Sequence, residues 1–195
     1  MIRYLHMDCE MGGRELKYSL LTSYFMVTDK TNTVLGELYL ETKPDDGDYI
    51  VSGQGMGVNG INLQAHDKVA LPYKMAKPLL FNFLKQMSNG SHLTPVGHGV
   101  RGDIEHVMDK LISRGSWEQF CTYHYIDTSV VLQFLRACGK MPLDCDGSVS
   151  ALANYFGVHL IAGGRLHDAR TDTQITAAVF QKMIDLGIGN EVRIC

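Results

Sequence analysis

Residues 19–28 (SLLTSYFMVT) and 34–42 (VLGELYLET) are two runs rich in β-branched and aromatic side chains, and Asp29-Lys30-Thr31-Asn32-Thr33 between them has turn chemistry. So short a connection pairs the two runs as an antiparallel hairpin. Ile2–Met7 upstream reads as a third short strand, so the chain opens as a three-stranded meander. The period then changes. Tyr73–Met87 places Met75, Leu79, Leu80, Phe83, Leu84 and Met87 at helical spacing and stops at Ser88-Asn89-Gly90. His92–Val96 reads as a fourth strand, and Asp103–Ser113 as a helix carrying Ile104, Val107, Met108, Leu111 and Ile112. Thr122–Ile126 follows as a fifth strand, with Asp127 capping a helix to about Ala137. Further helices are expected over Ser148–Phe156, stopped by Gly157, and from about Asp168 to Leu186. A meander followed by alternating helices and strands predicts an α/β fold: a mixed five-stranded sheet flanked by helices.

Asp8 and Glu10 sit at the end of the first strand, two apart on extended chain and therefore on one side of it. Two carboxylates in an apolar neighbourhood repel each other and are costly to desolvate unless a cation lies between them. That pair points to a metal. Two more acids occupy helix starts: Asp103 in Val96-Gly97-His98-Gly99-Val100-Arg101-Gly102-Asp103, and Asp172 in Leu166-His167-Asp168-Ala169-Arg170-Thr171-Asp172. Taken alone, Asp103 reads as a helix cap and His167 as a capping or core histidine. Gathered with Asp8 and Glu10, the acids make an all-oxygen cage suited to Mg²⁺ or Mn²⁺, and two such ions stabilise both the attacking and the leaving oxygen of a phosphoryl displacement. An imidazole beside that cage is placed to act as a general base.

Two other patterns carry less. Pro44-Asp45-Asp46-Gly47-Asp48 lacks the terminal Glu of a calcium loop and reads as a solvated turn. Gly55-Met56-Gly57-Val58-Asn59-Gly60 matches GxGxxG literally, but no strand precedes it and no obvious amphipathic helix opens on it, so a flexible loop facing the substrate is expected instead of a dinucleotide site.

A chain of 195 residues, 45% hydrophobic and 20% charged, has room for one well-buried core. With no repeat, low-complexity tract or linker, residues 1–195 are expected to form a single domain. The five cysteines (Cys9, Cys121, Cys138, Cys145, Cys195) are odd in number and form no CxxC pair, which fits a reducing, cytoplasmic setting. No stretch has the apolar length of a membrane span, and no signal peptide is read. A net charge of -3 argues against a long electrostatic track for duplex nucleic acid.

The order Asp8-x-Glu10, GHGVRGD ending at Asp103, and HDARTD from His167 to Asp172 resembles the DEDDh subgroup of 3′-to-5′ exonucleases in the ribonuclease H-like fold. Proofreading exonucleases, RNase T and oligoribonuclease are members. The resemblance spans nearly the whole chain: Val58-Asn59-Gly60-Ile61 is similar to the family's His/Asn-Gly-Ile segment, Ile126-Asp127-Thr128 to its Asp-Thr, and Val149–Val158 to its short Leu-rich helix. A His five before the last Asp, where a sister subgroup has Tyr four before, marks the subgroup. Three departures concern substrate handling. Met11-Gly12-Gly13 follow Glu10 where a Thr hydroxyl is usual, so backbone N–H groups are expected to serve; Gly99 and Gly102 replace an Asn and an aromatic residue, giving a looser turn; Arg170 replaces an aliphatic residue and is in reach of a phosphate or a surface ion pair.

The resemblance implies hydrolysis of single-stranded DNA or RNA 3′ ends to nucleoside 5′-monophosphates. Asp8, Glu10, Asp103 and Asp172 would hold two Mg²⁺ or Mn²⁺ ions, and His167 would take the proton from water. Met11, Gly12, Asn59, His98 and Arg170 would contact substrate, and a polymerase or a second copy of the chain would be a partner. The alternative is a catalytically idle nucleic-acid-binding or polymerase-associated module of the same fold, since fold does not fix function.

Overall fold

The hairpin forms where its turn residues place it. In the computed structural model, which describes residues 2–159 and 167–187, β2 (Leu20–Asp29) and β3 (Val34–Lys43) pair antiparallel. The Asp29 carboxylate closes the turn by accepting from the Thr31 and Thr33 N–H groups. β1 (Arg3–Met11) lies antiparallel to β2 and runs four residues beyond its expected end, so Asp8 and Glu10 are inside the strand.

After β3 come α1 (Gly53–Asn59), α2 (Leu63–Val69) and the two-residue β4 (Leu71–Pro72). Next are α3 (Tyr73–Ser88), β5 (Thr94–Gly97), α4 (Arg101–Lys110) and α5 (Arg114–Trp117). The chain continues through β6 (Ile126–Asp127), α6 (Thr128–Ala137), α7 (Val149–Tyr155) and α8 (Ala169–Gly187). The sheet is mixed and six-stranded, ordered β4-β3-β2-β1-β5-β6, with β5 parallel to β1 and β6 parallel to β5. The additional strand, β4, pairs parallel to the end of β3 and is too short to leave a periodic signal. Two sequence expectations shift: the fourth strand begins at Thr94, with Leu93 only bridging Cys121, and the fifth reduces to Ile126–Asp127.

Alternation in β1 sorts its side chains between two layers. Leu5, Met7 and Cys9 enter a core shared with α3 and α4 residues such as Leu80, Leu84, Ile104 and Val107. Tyr4 and His6 face α8, where both rings pack against Phe180 with centroids 5.3 and 6.0 Å away. α8 in turn buries Ile175, Val179 and Met183 against α6 and α7 residues Leu132, Leu135 and Leu152. β2, covered on both faces, is buried along all but its last residue.

The GxGxxG segment is helix α1, capped by the Ser52 hydroxyl on Gly55 N–H and ended by left-handed Gly60. This corrects the flexible-loop expectation. At Gly55 a Cβ would lie 2.4 Å from the Gly12 carbonyl oxygen, so glycine here lets α1 rest on the chain just past Glu10. Asn62 likewise caps α2, a helix the sequence did not show. Four cysteines among the described residues are free thiols, and Cys195 lies outside those residues. No described helix is long and apolar enough to cross a membrane.

Candidate active site

Two spacings bring distant acids together. Phe180 packs over Tyr4 and His6, and Asp172 lies eight helical residues before Phe180, about 12 Å along the axis. Asp8 and Glu10 lie four strand residues beyond Tyr4 and His6, about 13 Å. With α8 laid against β1 in the opposite direction, the near-equal lengths set Asp172 over the two acids. One carboxylate oxygen from each of Asp8, Glu10 and Asp172 lies within 4.8 Å of the other two.

Asp103 arrives from another direction and is not one of that triple. The ladder between β5 and β1 ends at His6↔Val96, before the acids of β1. The buried Asp103 carboxylate, in the first turn of α4, accepts from Cys9 N–H. Burial raises its pKa well above the ordinary carboxylate value, and Glu10 adds to the rise. Asp8 is raised by burial first, then by the charges of Asp103, Glu10, Asp172 and Asp168. Burial also raises Asp172, opposed by the His167 N–H it accepts. Four acids in one electrostatic unit resist ionising together.

Asp172 divides its two oxygens. Oδ2 accepts from His167 N–H at 3.1 Å, whereas Oδ1 is buried with no hydrogen-bond partner among the described residues. A buried, unpartnered carboxylate oxygen beside two more carboxylates is costly in the protein alone. An oxygen-only donor set with an orphaned member fits a hard divalent cation.

His167 is exposed and takes a left-handed backbone, φ 59°. Asp168, next in sequence, is the helix cap: its Oδ2 accepts from Thr171 N–H at 3.0 Å and from the Thr171 hydroxyl at 2.8 Å. His167 and Glu10 share a groove of about 520 Å³ whose far wall carries Tyr39, Glu41 and His66. This wall was not among the expected site residues, although Glu37, Tyr39 and Glu41 mark a polar face of β3 by period-two spacing. His66 Nε2 donates to the Thr42 carbonyl at 2.9 Å, turning Nδ1 toward Glu41 Oε1 4.0 Å away.

Several residues expected to meet substrate are engaged within the protein. Gly12 N–H is bonded to the Ser19 carbonyl, and its own carbonyl accepts from Ser52 N–H and Oγ, so the backbone donor expected there is already engaged. Asn59 is buried; its Nδ2 holds the Met11 carbonyl and its Oδ1 accepts from Ile61 N–H. That amide fixes the chain after Glu10 instead of presenting a free end. His98 Nδ1 is 2.9 Å from Thr128 Oγ1, which ties it toward α6, and burial lowers its pKa. The turn at Gly99, φ 70°, is held by Asp127 Oδ1 on Gly99 N–H at 3.0 Å, so the glycine there does not loosen it. Arg170, expected to reach a phosphate or else a surface ion pair, lies over the rings of Tyr24 and Tyr39, 5.4 and 5.1 Å from their centroids, in a cation–π stack. Met11 borders a smaller cavity of about 190 Å³ beside Glu10, with Gly55 and Val58.

No protein-family model matches this chain, and no curated protein matches it in sequence. Solved structures match in fold. *E. coli* exonuclease I in complex with a dT13 oligonucleotide aligns with a TM-score of 0.66 at 16% identity, over 93% of this chain and 41% of that one. Exonuclease I from Methylocaldum szegediense gives 0.67 at 17%, over 95% and 40%. Cell-death related nuclease 4 gives 0.66 at 15%, over 95% and 64%. This chain therefore spans about two fifths of the exonuclease I chains and less than two thirds of the third nuclease. At such identities the likeness is one of fold, and it is the fold that the motif order implied: a ribonuclease H-like mixed sheet flanked by helices.

Proposed function

We propose that this chain hydrolyses the 3′-terminal phosphodiester of single-stranded DNA or RNA and releases nucleoside 5′-monophosphates. One observation carries the reading: oxygens of Asp8, Glu10 and Asp172 converge within 4.8 Å, and the buried Asp172 Oδ1 has no hydrogen-bond partner among the described residues. The fold shared with nucleases, one of them in complex with an oligonucleotide, supports it.

Asp8, Glu10 and Asp172 would hold a divalent cation, Mg²⁺ or Mn²⁺, and Asp103 would complete the set for a second. Bound there, the ions supply positive charge that neutralises the carboxylates and offsets charge developing on the phosphate oxygens. The rest falls to the protein. His167, on the groove wall shared with Glu10, takes a proton from the attacking water at a ring nitrogen. Asp172 fixes the backbone from which that ring projects. The cavity walled by Met11 and Val58 receives the terminal nucleoside, and Asn59 with Ser52 keeps its floor in place. Proofreading beside a polymerase, repair and RNA trimming would all use this one hydrolysis, in a reducing cytoplasmic setting.

Digestion of 5′-labelled single-stranded DNA and RNA oligomers with Mg²⁺ or Mn²⁺ tests the reading. A ladder shortening from the 3′ end, abolished by chelator and by a blocked 3′ terminus, is expected. Cleavage that ignores the block would make the chain an endonuclease; no cleavage of either polymer with either metal would leave an idle binding module.

A further inference from the structure

A second groove of about 500 Å³ lies between α4 and the segment leading into edge strand β6. Its rim carries Arg101, Arg114, Tyr123 and Tyr125. Tyr123 is 80% exposed and Tyr125 41%, unusual for large rings on a folded surface. Tyr123 is also held out: the Thr122 hydroxyl donates to the His124 carbonyl at 2.6 Å, closing a tight turn that presents the ring, which packs edge-on to His124. The two guanidinium groups are paired along their helices, Arg101 with Glu105 at 2.9 Å and Arg114 with Glu118 at 3.9 Å. Both arginine side chains are at least 70% exposed, so these pairs are weak and a phosphate can replace the glutamates. Arg101 opens α4, whose third residue is Asp103, about 3 Å further along the helix axis.

We propose that this groove binds the single strand upstream of the terminal nucleotide, stacking bases on Tyr123 and Tyr125 and setting backbone phosphates against Arg101 and Arg114. This rests on the exonuclease reading above. A chain of net charge -3 with four acids at its reactive centre repels the strand it must hold. Stacking on aromatic rings supplies attraction that needs no net positive charge and tolerates any base, and exposed guanidinium forks meet the phosphates between stacked bases. The occupant is thus a single-stranded nucleic acid and not a peptide, for which the groove offers no unpaired strand longer than the two residues of β6.

The test compares ligand lengths in the full chain. Binding of a fluorescein-labelled 12-mer oligothymidylate and a 12-mer oligouridylate is read by anisotropy in chelator, and hydrolysis of a dinucleotide and of the 12-mers is read with Mn²⁺. For Tyr123→Ala/Tyr125→Ala, 12-mer affinity should fall about tenfold or more, with dinucleotide turnover unchanged and Tyr123→Phe retaining wild-type affinity. Arg101→Ala should flatten the salt dependence of 12-mer binding. Wild-type 12-mer affinity in the double variant, or equal losses on dinucleotide and 12-mer, overturns the proposal, as does a wild-type protein that binds neither 12-mer. If the wild-type protein cleaves nothing yet binds the 12-mers through these tyrosines, the exonuclease reading fails and the groove stands.

Discussion

The main-chain N–H of His167 donates to Asp172 Oδ2 at 3.1 Å, while Asp172 Oδ1 is buried without a hydrogen-bond partner among the described residues, and one oxygen of this carboxylate lies within 4.8 Å of Asp8 and Glu10 oxygens. One carboxylate thus both positions the backbone of the proposed base and belongs to the cluster proposed to hold a cation. This gives the five-residue spacing of the motif a physical reason: the helix cap at Asp168 and the first turn of α8 return Asp172 to the N–H of His167.

Asp172→Asn keeps an acceptor for His167 N–H and removes the charge. Mn²⁺ affinity by calorimetry and nuclease turnover should both fall by at least the roughly 10–100-fold that even an outer partner of a metal site contributes. Wild-type Mn²⁺ affinity in this variant would place the cation elsewhere.

Asp8 and Asp103 make stability depend on pH and metal. A carboxyl group whose folded pKa is raised favours the fold while protonated; that contribution is full below its ordinary value of 3.8 and is lost as pH rises through the raised folded value. The metal-free protein should therefore lose stability as pH climbs toward neutrality. Divalent ion at a hundredfold excess over Kd should restore about 2.7 kcal/mol, roughly 5–10 °C in Tm. Asp103→Asn should raise the Tm of chelated protein at neutral pH while lowering turnover. Asp103→Ala, which strands the Cys9 N–H, should lose about 1–3 kcal/mol instead. Equal Tm changes in the two variants would contradict the charge argument.

His167 projects from a backbone that glycine adopts without strain, φ 59°. His167→Gly should cut turnover by about 10²–10⁴-fold, leave Mn²⁺ affinity close to wild type, and recover part of its rate with added imidazole. A lost Mn²⁺ isotherm would make His167 a ligand.

His6 lies two residues before Asp8 in β1, packed under α8. Burial lowers its pKa from 6.5 to about 4, with Nε2 3.0 Å from Thr28 Oγ1 and Nδ1 unpartnered. A lowered histidine stabilises the neutral fold above 6.5, and that contribution, on the order of 3 kcal/mol, is lost as pH falls toward 4. A histidine C2 proton resonance titrating near 4 by NMR, absent in His6→Gln, is the expected signature. Titration near 6.5 would show the ring open to water.

Most elements were legible because they rest on local signals. Turn chemistry at Asp29–Thr33, the 3.6-residue period of α3 and the caps at Asp127 and Ser148 act within a few residues. The two-residue strand β4 was not, since a strand this short exists only through its neighbours, and for the same reason β6 was expected longer, over Thr122–Ile126. Helix α1 was missed for a related reason. Its glycines are poor helix formers, and the contact that calls for one of them, Gly55 on the Gly12 carbonyl, joins residues distant in sequence.

The sequence by itself determined which side chains carry charge and how each is spaced along its own element, and so determined the meander, the helices and the alternation that turns Asp8 and Glu10 to one side of β1. Tertiary structure decided what those groups meet. It set Asp172 over the β1 acids and left Asp103 beneath them on Cys9 N–H; it also committed Gly12 and Asn59 to the framework and laid Arg170 on Tyr24 and Tyr39. The physical reason is range. Propensity and periodicity act over a turn of helix or a pair of strand residues, whereas a carboxylate's partner, its burial and its pKa depend on groups brought near only when the sheet and α8 pack.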